Sequence, residues 1–163
     1  MEVLSLTQEH WDKVREIYLA GMASGDATFE TNAPSWEEWD KAHLKFARLI
    51  ARANSETKGW AALSRISARK AYSGVVEVSV YVAANNRGQG YGTRLLGALI
   101  AESEKNMIWT LQASIFPENL ASLALHVAAG FREVGQRERI AKLNGVWRST
   151  ILMERRSTVV GTD

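Results

Sequence analysis

The residues best placed to do chemistry lie where an apolar strand runs into a glycine-rich turn. The strand spans residues 76–82, and Gly88, Gly90 and Gly92 follow within five positions of one another. Glycine lets the backbone come into contact with a ligand, and the first N–H groups of a helix have no partner inside the helix and lie at the positive end of its dipole. A strand, turn and helix of this kind are typical of a pyrophosphate site.

Glu77 is the one acidic residue in this strand. Because side chains alternate along a strand, it should point to the opposite face from Val76 and Val78. A carboxylate in a partly dry strand is suited to accept a proton from a reacting group. The alternative is a structural role, either as an exposed strand residue or in an ion pair with Arg69 or a nearby lysine.

Composition narrows the classes of function. The chain has 163 residues, which favours one globular domain over residues 1–163. The 20 Lys and Arg residues nearly balance the 18 Asp and Glu residues, so the net charge does not indicate a nucleic-acid surface. The chain has no Cys, and its three His are scattered, so we expect no metal site. No apolar run approaches the about 18 residues of a membrane span, and no secretory signal is evident, so we expect no membrane partner and a cytoplasmic location.

Apolar spacing and turn residues predict the order of elements. We expect a strand at 2–6, helices beginning after Thr7 and Ser35, strands at 46–53, 59–67 and 74–83, a helix to about residue 105, a strand at 108–115, a helix at 119–129, and strands at 131–140 and 145–155. Asn144 and Gly145 should form the last hairpin turn. This order predicts an α+β fold, an α/β sandwich with a mixed, largely antiparallel sheet of about seven strands and about four helices.

The glycine turn fits neither of two common nucleotide-binding patterns. It has no lysine where the Walker pattern needs one, and its last glycine is wrongly spaced for a dinucleotide fingerprint. Arg87, Gly90 and Gly92 instead form Arg-x-x-Gly-x-Gly, which resembles the acyl-CoA signature of the GNAT (Gcn5-related) N-acetyltransferases. That signature also follows a fourth strand and begins the third long helix, so the resemblance implies a GNAT-like fold. A turn needed only for its geometry is the alternative.

Several further segments are similar to the phosphinothricin and methionine sulfoximine acetyltransferases. They are residues 26–31, Arg69-x-x-Tyr72, residues 77–82, residues 117–119, Leu125-His126 and Gly145-x-Trp147. The resemblance implies that acetyl-CoA is the co-substrate, with no metal, and that the acceptor is a small-molecule amine. That amine would be the α-amine of an amino-acid analogue with a phosphinyl, sulfoximine or sulfone group. The resemblance also implies a homodimer, with Trp147 as a candidate contact.

The same resemblance assigns the residues that hold the cofactor. Backbone groups of the glycine turn would bind the pyrophosphate, and main-chain groups of the strand would pair with the pantetheine arm. The residues concerned are Val80, Tyr81, Val82, Arg87, Gly88, Gln89, Gly90, Tyr91, Gly92, Thr93, Asn119 and Ser122. Asn119 suits a helix N-cap equally well.

Catalysis is assigned to two residues. An α-amine attacks a thioester only in its neutral form, and the resemblance makes Glu77 the general base, directly or through a water. His126 stands where many GNAT enzymes have a tyrosine, so a protonated imidazole would donate to the departing thiolate. A single His on a helix is as often a packed or solvated residue.

Four residues match family positions that face the amine substrate. Arg69 would offer a forked donor to a carboxylate or phosphinyl oxygen, Tyr72 a hydroxyl, Phe29 an apolar wall and Glu30 a partner for the ammonium. Two other functions stay open. One is a GNAT enzyme for another amine, such as a peptide N-terminus or a polyamine, and the other is an acyl-CoA-binding module without turnover.

Overall fold

The computed structural model describes residues 1–163 and contains one seven-stranded mixed sheet. Its elements follow the predicted order of strands and helices. The strands are β1 (Glu2–Ser5), β2 (Leu49–Ala53), β3 (Glu56–Arg65), β4 (Val75–Val82), β5 (Thr110–Ile115), β6 (Arg132–Leu143) and β7 (Val146–Arg156). The helices are α1 (Trp11–Ala23), α2 (Trp36–Ala42), α3 (Tyr91–Lys105) and α4 (Leu120–Ala128). No helix combines the length and the apolar composition that a membrane span requires.

The strands lie side by side in the order β1-β2-β3-β4-β5-β7-β6. Every neighbouring pair is antiparallel except β4 and β5, which are parallel. The parallel pair needs a crossover connection, and α3 supplies it. The predicted mixed, largely antiparallel sheet is therefore confirmed.

The core lies on both faces of the sheet because alternate residues of the central strands point to opposite sides. In β3, Ala61 and Leu63 pack with Leu95, Leu96 and Leu99 of α3. Trp60 and Ala62 of the same strand pack on the other face with residues of α1 and α2. α4 lies on the α3 face, where Leu123, Leu125 and Ala129 contact the first cluster.

Local signals explain where elements begin and end, with one correction. Ser35 caps α2, because its hydroxyl accepts from the Glu38 N–H and the Glu38 carboxylate accepts from the Ser35 N–H. β3 begins at Glu56, earlier than the strand predicted at 59–67, because Asn54 and Ser55 take φ values of 51° and 65° and close a two-residue turn. Asn144 and Gly145, at 49° and 81°, form the predicted hairpin turn between β6 and β7.

Candidate active site

The site forms where β4 and β5 separate. The two strands pair only from Val75 with Thr110 to Glu77 with Gln112, and beyond this point β4 keeps β3 as its neighbour. The N–H of Ala83 donates to the carbonyl of Lys58 in β3 at 2.8 Å. Because backbone groups of successive residues point to alternate sides, those of Val80 and Val82 point away from β3, into the gap. An extended ligand can pair with this free strand edge.

The turn before α3 presents free backbone amides. Gly88 and Gly90 have φ values of 73° and 83°, in the left-handed region that favours glycine. The N–H groups of Gly88, Gln89 and Gly90 donate to no carbonyl of the chain, and no side chain caps the first turn of α3. Together with the positive end of the helix dipole, these amides favour an anion.

A groove of about 760 Å³ connects this turn with the gap between β4 and β5. Every residue predicted to hold the cofactor lines it except Gln89, whose side chain donates to the Asn85 carbonyl at 3.0 Å. The groove also has a wall that the sequence reasoning missed, formed by Gly21, Ser24, Asp26 and Ala27. These residues come from the end of α1 and the loop after it, and nothing in their spacing connects them with the glycine turn.

A second cavity, of about 570 Å³, adjoins the groove. The two share a set of lining residues from three separate parts of the chain, namely Asp26, Ala27, Val80, Tyr81, Asn119 and Ser122. A molecule in the groove and a molecule in the cavity would therefore meet across these residues. This is the arrangement that a two-substrate transfer requires.

Glu77 lies in the wall of the second cavity, on the opposite face of β4 from the buried Val76 and Val78. Its Oε2 accepts hydrogen bonds from Gln112 Nε2 at 3.0 Å and from Ser114 Oγ at 3.3 Å. Both donors are neutral, and no Arg or Lys forms an ion pair with this carboxylate, so the expected alternative partner Arg69 does not reach it. The other oxygen, Oε1, accepts no hydrogen bond from the chain and stays free beside the gap.

His126 lines the same cavity but is only 4% exposed. Its Nδ1 lies 2.7 Å from the carbonyl oxygen of Ser122, which needs a proton on Nδ1. Burial lowers the pKa of His126 below its ordinary value of 6.5. The imidazole is therefore neutral at neutral pH, and its buried Nε2 has no partner. Donation to a thiolate would need a further proton on Nε2, which this environment disfavours, and the donor role stays a prediction.

Asn119 serves both purposes that the sequence left open, because it caps a helix and lines the groove. Its Oδ1 accepts from the N–H of Ser122 at 3.1 Å, as an N-cap of α4 does. Its Nδ2 donates to the carbonyl of Asp26 at 3.0 Å. Asn119 therefore connects α4 with the loop between α1 and α2, across the boundary of the two cavities.

The four predicted substrate residues separate into two pairs. Phe29 and Glu30 line the second cavity. Arg69 and Tyr72 lie in the exposed loop between β3 and β4, where the Arg69 guanidinium carbon is 5.5 Å from the centre of the Tyr72 ring, and neither lines the cavity. The structure of one chain thus does not bring Arg69 to the side chains that surround Glu77.

The second cavity is aromatic and acidic. Carboxylates of Asp26, Glu30, Glu38 and Glu77 line it, and no Lys or Arg does. Its aromatic lining comprises Tyr18, Phe29, Trp39, Tyr81 and Phe116, and of these only Phe29 was predicted to face the substrate. The helical spacing of Tyr18 on α1 and Trp39 on α2 fits a core face as well as a cavity wall, so it does not distinguish the two.

Tyr81 lies at the boundary between the cavities, with its ring 4.9 Å from that of Tyr18. Burial is the main cause that raises the pKa of both hydroxyls above their ordinary value of 10.0. Both hydroxyls are therefore protonated at neutral pH and can donate hydrogen bonds. Tyr81 was predicted as a cofactor contact through its strand position, whereas its place in the second cavity depends on the packing against α1.

Comparisons with known proteins agree with this geometry. Residues 11–131 match the Acetyltransferase (GNAT) family. The chain is 33% identical over 148 residues to phosphinothricin N-acetyltransferase of Alcaligenes faecalis, covering 87% of this chain and 75% of that protein. It is 32% identical over 124 residues to the L-methionine sulfoximine/L-methionine sulfone acetyltransferase of Pseudomonas aeruginosa strain PAO1, covering 76% of this chain and 72% of that one.

A solved structure shares the whole fold. A GNAT superfamily phosphinothricin acetyltransferase from Sinorhizobium meliloti, crystallised in complex with AcCoA, superposes with a TM-score of 0.89 at 25% identity. The match covers 99% of this chain and 91% of that protein. The seven-stranded sheet with four helices is therefore the architecture of that enzyme as well.

Proposed function

Because the chain belongs to the Acetyltransferase (GNAT) family, we propose that it transfers the acetyl group of acetyl-CoA to the α-amine of a small amino-acid analogue. Phosphinothricin, methionine sulfoximine and methionine sulfone are the proposed acceptors, since the relatives at 33% and 32% identity are named for them. The observation that carries the proposal is the shared wall of the groove and the acidic cavity, which sets a cofactor site beside Glu77.

The groove suits coenzyme A in three respects. The free amides of Gly88, Gln89 and Gly90 and the start of α3 match a pyrophosphate, Arg87 adds a positive charge, and the free edge at Val80 and Val82 matches the amide-rich pantetheine arm. Acetyl-CoA supplies an activated acyl group as a thioester. The chain's own residues would hold and orient it in the groove, whose wall is shared with the second cavity.

The second cavity suits the acceptor amine. Glu30 and Glu77 carry no ion-pair partner, so either favours a bound ammonium, and Phe29 provides an apolar wall. In the proposed mechanism Glu77 accepts the proton that the ammonium must lose before its nitrogen can attack. Only the free oxygen of Glu77, which neither Gln112 nor Ser114 contacts, is available for this step.

One observation favours a second candidate function, N-acetylation of an amine that carries no acid group. No Lys or Arg lines the cavity, so within one chain nothing cationic can bind a carboxylate or phosphinyl oxygen. A polyamine or an arylalkylamine would instead match the unpaired carboxylates and the aromatic walls. Under the first candidate, Arg69 has to reach the acid group from its place in the exposed loop.

A thiol-release assay with purified protein separates the candidates. The acceptors are methionine sulfoximine, methionine sulfone, phosphinothricin, methionine sulfone amide, spermidine and phenethylamine, each with acetyl-CoA. The first candidate is supported if the three amino-acid analogues are acetylated and the amide has a kcat/KM at least tenfold lower than methionine sulfone. A tenfold difference corresponds to about 1.4 kcal/mol of transition-state binding. Turnover of the amide, spermidine or phenethylamine in preference to the acids supports the second candidate, and no thiol release with any acceptor contradicts both.

The same assay tests the role of Arg69 by comparing KM for methionine sulfone with KM for its amide. If it binds the acid group, Arg69→Met raises KM for methionine sulfone and leaves KM for the amide unchanged. Equal changes for the acid and the amide, or no change, would remove Arg69 from the substrate site.

We take residues 1–163 as one domain, because β7 contributes Thr150 to the cavity although it lies beyond the segment that matches the family.

We also propose that the protein forms a homodimer. Support comes from exposed apolar side chains on the hairpin of β6 and β7, among them Val134, Ile140, Val146 and Trp147. Sedimentation equilibrium should give about twice the mass of 18.1 kDa, and Trp147→Ser should weaken the association; a monomer at high concentration would contradict the dimer.

A further inference from the structure

Arg148 of β7 holds the loop between α1 and α2 through its guanidinium group. Its Nη1 donates to the Gly25 carbonyl at 2.9 Å, and its Nη2 donates to Asp26 Oδ1 at 3.0 Å and to Glu118 Oε2 at 3.2 Å. The side chain is 19% exposed. One planar guanidinium group thus donates to three acceptors from two distant parts of the chain, and the ammonium group of a lysine cannot reproduce this geometry.

The same guanidinium also contacts the loop indirectly, through the rings of Phe116 and Phe29. Its central carbon lies 4.2 Å from the centre of the Phe116 ring, a distance suited to a cation–π contact. The Phe116 ring in turn lies 4.8 Å from the ring of Phe29, in an edge-on arrangement. Arg148 therefore acts on Gly25 and Asp26 directly and on Phe29 through Phe116.

The loop that Arg148 holds borders both cavities. Residues 24–35 form no helix or strand, so side-chain contacts must determine their position. Asp26 and Ala27 line the groove and the cavity, and Phe29 and Glu30 line the cavity. The hydrogen bond from Asn119 to the Asp26 carbonyl and side-chain hydrogen bonds of Thr28 with Tyr18 and Tyr81 also connect the loop with the rest of the site.

From these contacts we infer that Arg148 is a positioning residue for the acceptor amine, an inference that rests on the proposed function. Arg148 holds the loop so that Glu30 and Phe29 face Glu77 across the cavity. It does not touch the reacting groups. Without it Glu30 and Phe29 are no longer held in place before the amine arrives, so binding of the amine has to order the loop and its KM rises.

The kinetic test compares Arg148→Met, Arg148→Lys and a matched control, Arg155→Met. Arg155 also lies on β7, is 22% exposed and pairs with Glu104 of α3 at 3.0 Å, away from both cavities. We expect Arg148→Met to lower kcat/KM for the amine about 10- to 100-fold, mainly through KM, with a smaller change in the Kd for acetyl-CoA, because Asp26 also lines the groove. Arg148→Lys should not restore KM, because lysine keeps the positive charge but lacks the planar guanidinium group that donates to three acceptors. Arg155→Met should leave KM for the amine unchanged.

Hydrogen–deuterium exchange provides a readout that needs no turnover. Arg148→Met should speed exchange over residues 24–31 in the free protein, and Arg155→Met should not, when the two variants have matched melting temperatures. If wild-type protein acetylates no amine but Arg148→Met still loosens this loop, the proposed function fails and the structural role of Arg148 stands. If Arg148→Met changes neither loop exchange nor KM relative to Arg155→Met, the inference is overturned.

Discussion

At the scale of single residues, Glu77 is distinguished by what surrounds its charge. Asp26 is paired with Arg148, and Glu38 caps α2 through Ser35, so the environment already occupies these two carboxylates. Glu77 receives only neutral donors on one oxygen. Among the carboxylates of the cavity, it also lies on the strand that borders the gap, and these two facts make it the proposed proton acceptor.

Glu77→Gln should lower kcat about 100-fold or more, because an amide cannot accept the proton of the ammonium. The amide oxygen can still accept from Gln112, so the fold and the Kd for acetyl-CoA should be unchanged. Glu133→Gln, on the exposed part of β6, is the matched control for loss of a strand carboxylate. Unchanged turnover of the Glu77 variant at every pH would remove this residue from the mechanism.

The pH–rate profile tests the role of His126. Since burial lowers its pKa below 6.5, the protonated form is already scarce at pH 7. If protonated His126 were the required donor, kcat would fall as the pH rose above that lowered pKa. We expect instead that kcat does not fall between about pH 6.5 and 8.5, because neutral amine becomes more abundant as the pH approaches its ordinary pKa near 8. His126→Asn, which keeps a donor for the Ser122 carbonyl, should show the same profile. A fall of kcat with rising pH in the wild type that the variant does not show would support the donor role.

At the scale of elements, the site depends on one strand edge and one helix start. β4 has a partner on both sides only as far as Glu77, and α3 starts where Gly88 and Gly90 take left-handed conformations. Both features leave backbone groups without partners, and both open into the same groove. Binding by backbone groups explains why glycine and valine, which bring no functional side chains, carry the proposed cofactor site.

Gly90→Val should raise KM and Kd for acetyl-CoA. Valine is strained at a φ of 83°, and its branched side chain would occupy the space in front of the free amides. Gly97→Ala is the control in the same helix, because a Cβ there meets nothing within 4 Å and the helix should gain about 1 kcal/mol. Isothermal titration with coenzyme A measures both variants, and an unaltered Kd for Gly90→Val would contradict the assignment of this turn.

At the scale of the whole molecule, the cavity is lined by two histidines, of which His126 is buried and His43 is half-buried. His43 at the end of α2 and His126 in α4 each place Nδ1 near a carbonyl oxygen four residues earlier, at 2.8 Å and 2.7 Å. Both line the cavity, and burial is the main cause that lowers the pKa of each. Both imidazoles are therefore neutral in the folded protein at neutral pH.

This arrangement predicts a loss of stability in mild acid. Below about pH 6.5 the unfolded chain binds protons that the folded chain does not, so the free energy of unfolding falls with the pH until the lowered pKa values are passed. Each histidine contributes about 1.4 kcal/mol per unit by which its pKa is lowered. Urea unfolding at pH 7.5, 6.5, 5.5 and 5.0 measures the fall, and His43→Asn with His126→Asn should reduce it. An equal fall in the double variant would show that other groups cause it.

The sequence by itself determined the order of elements, the mixed sheet and the glycine turn before α3. Each of these depends on local rules, since apolar spacing distinguishes strands from helices and glycine permits left-handed turns. The position of Glu77 opposite Val76 and Val78 follows from the period of two along a strand. Resemblance added the proposed cofactor and most of the residues that line the groove.

Only the tertiary structure decided which of the remaining residues share a cavity. Tyr18, Trp39 and Phe116 come from α1, α2 and the end of β5, and Arg148 meets Asp26 across 122 positions of sequence. Arg69, which resemblance placed beside the substrate, lies outside the cavity of this chain. Such contacts depend on how the loops and helices pack over the sheet, and packing between distant segments leaves no periodic pattern in the sequence.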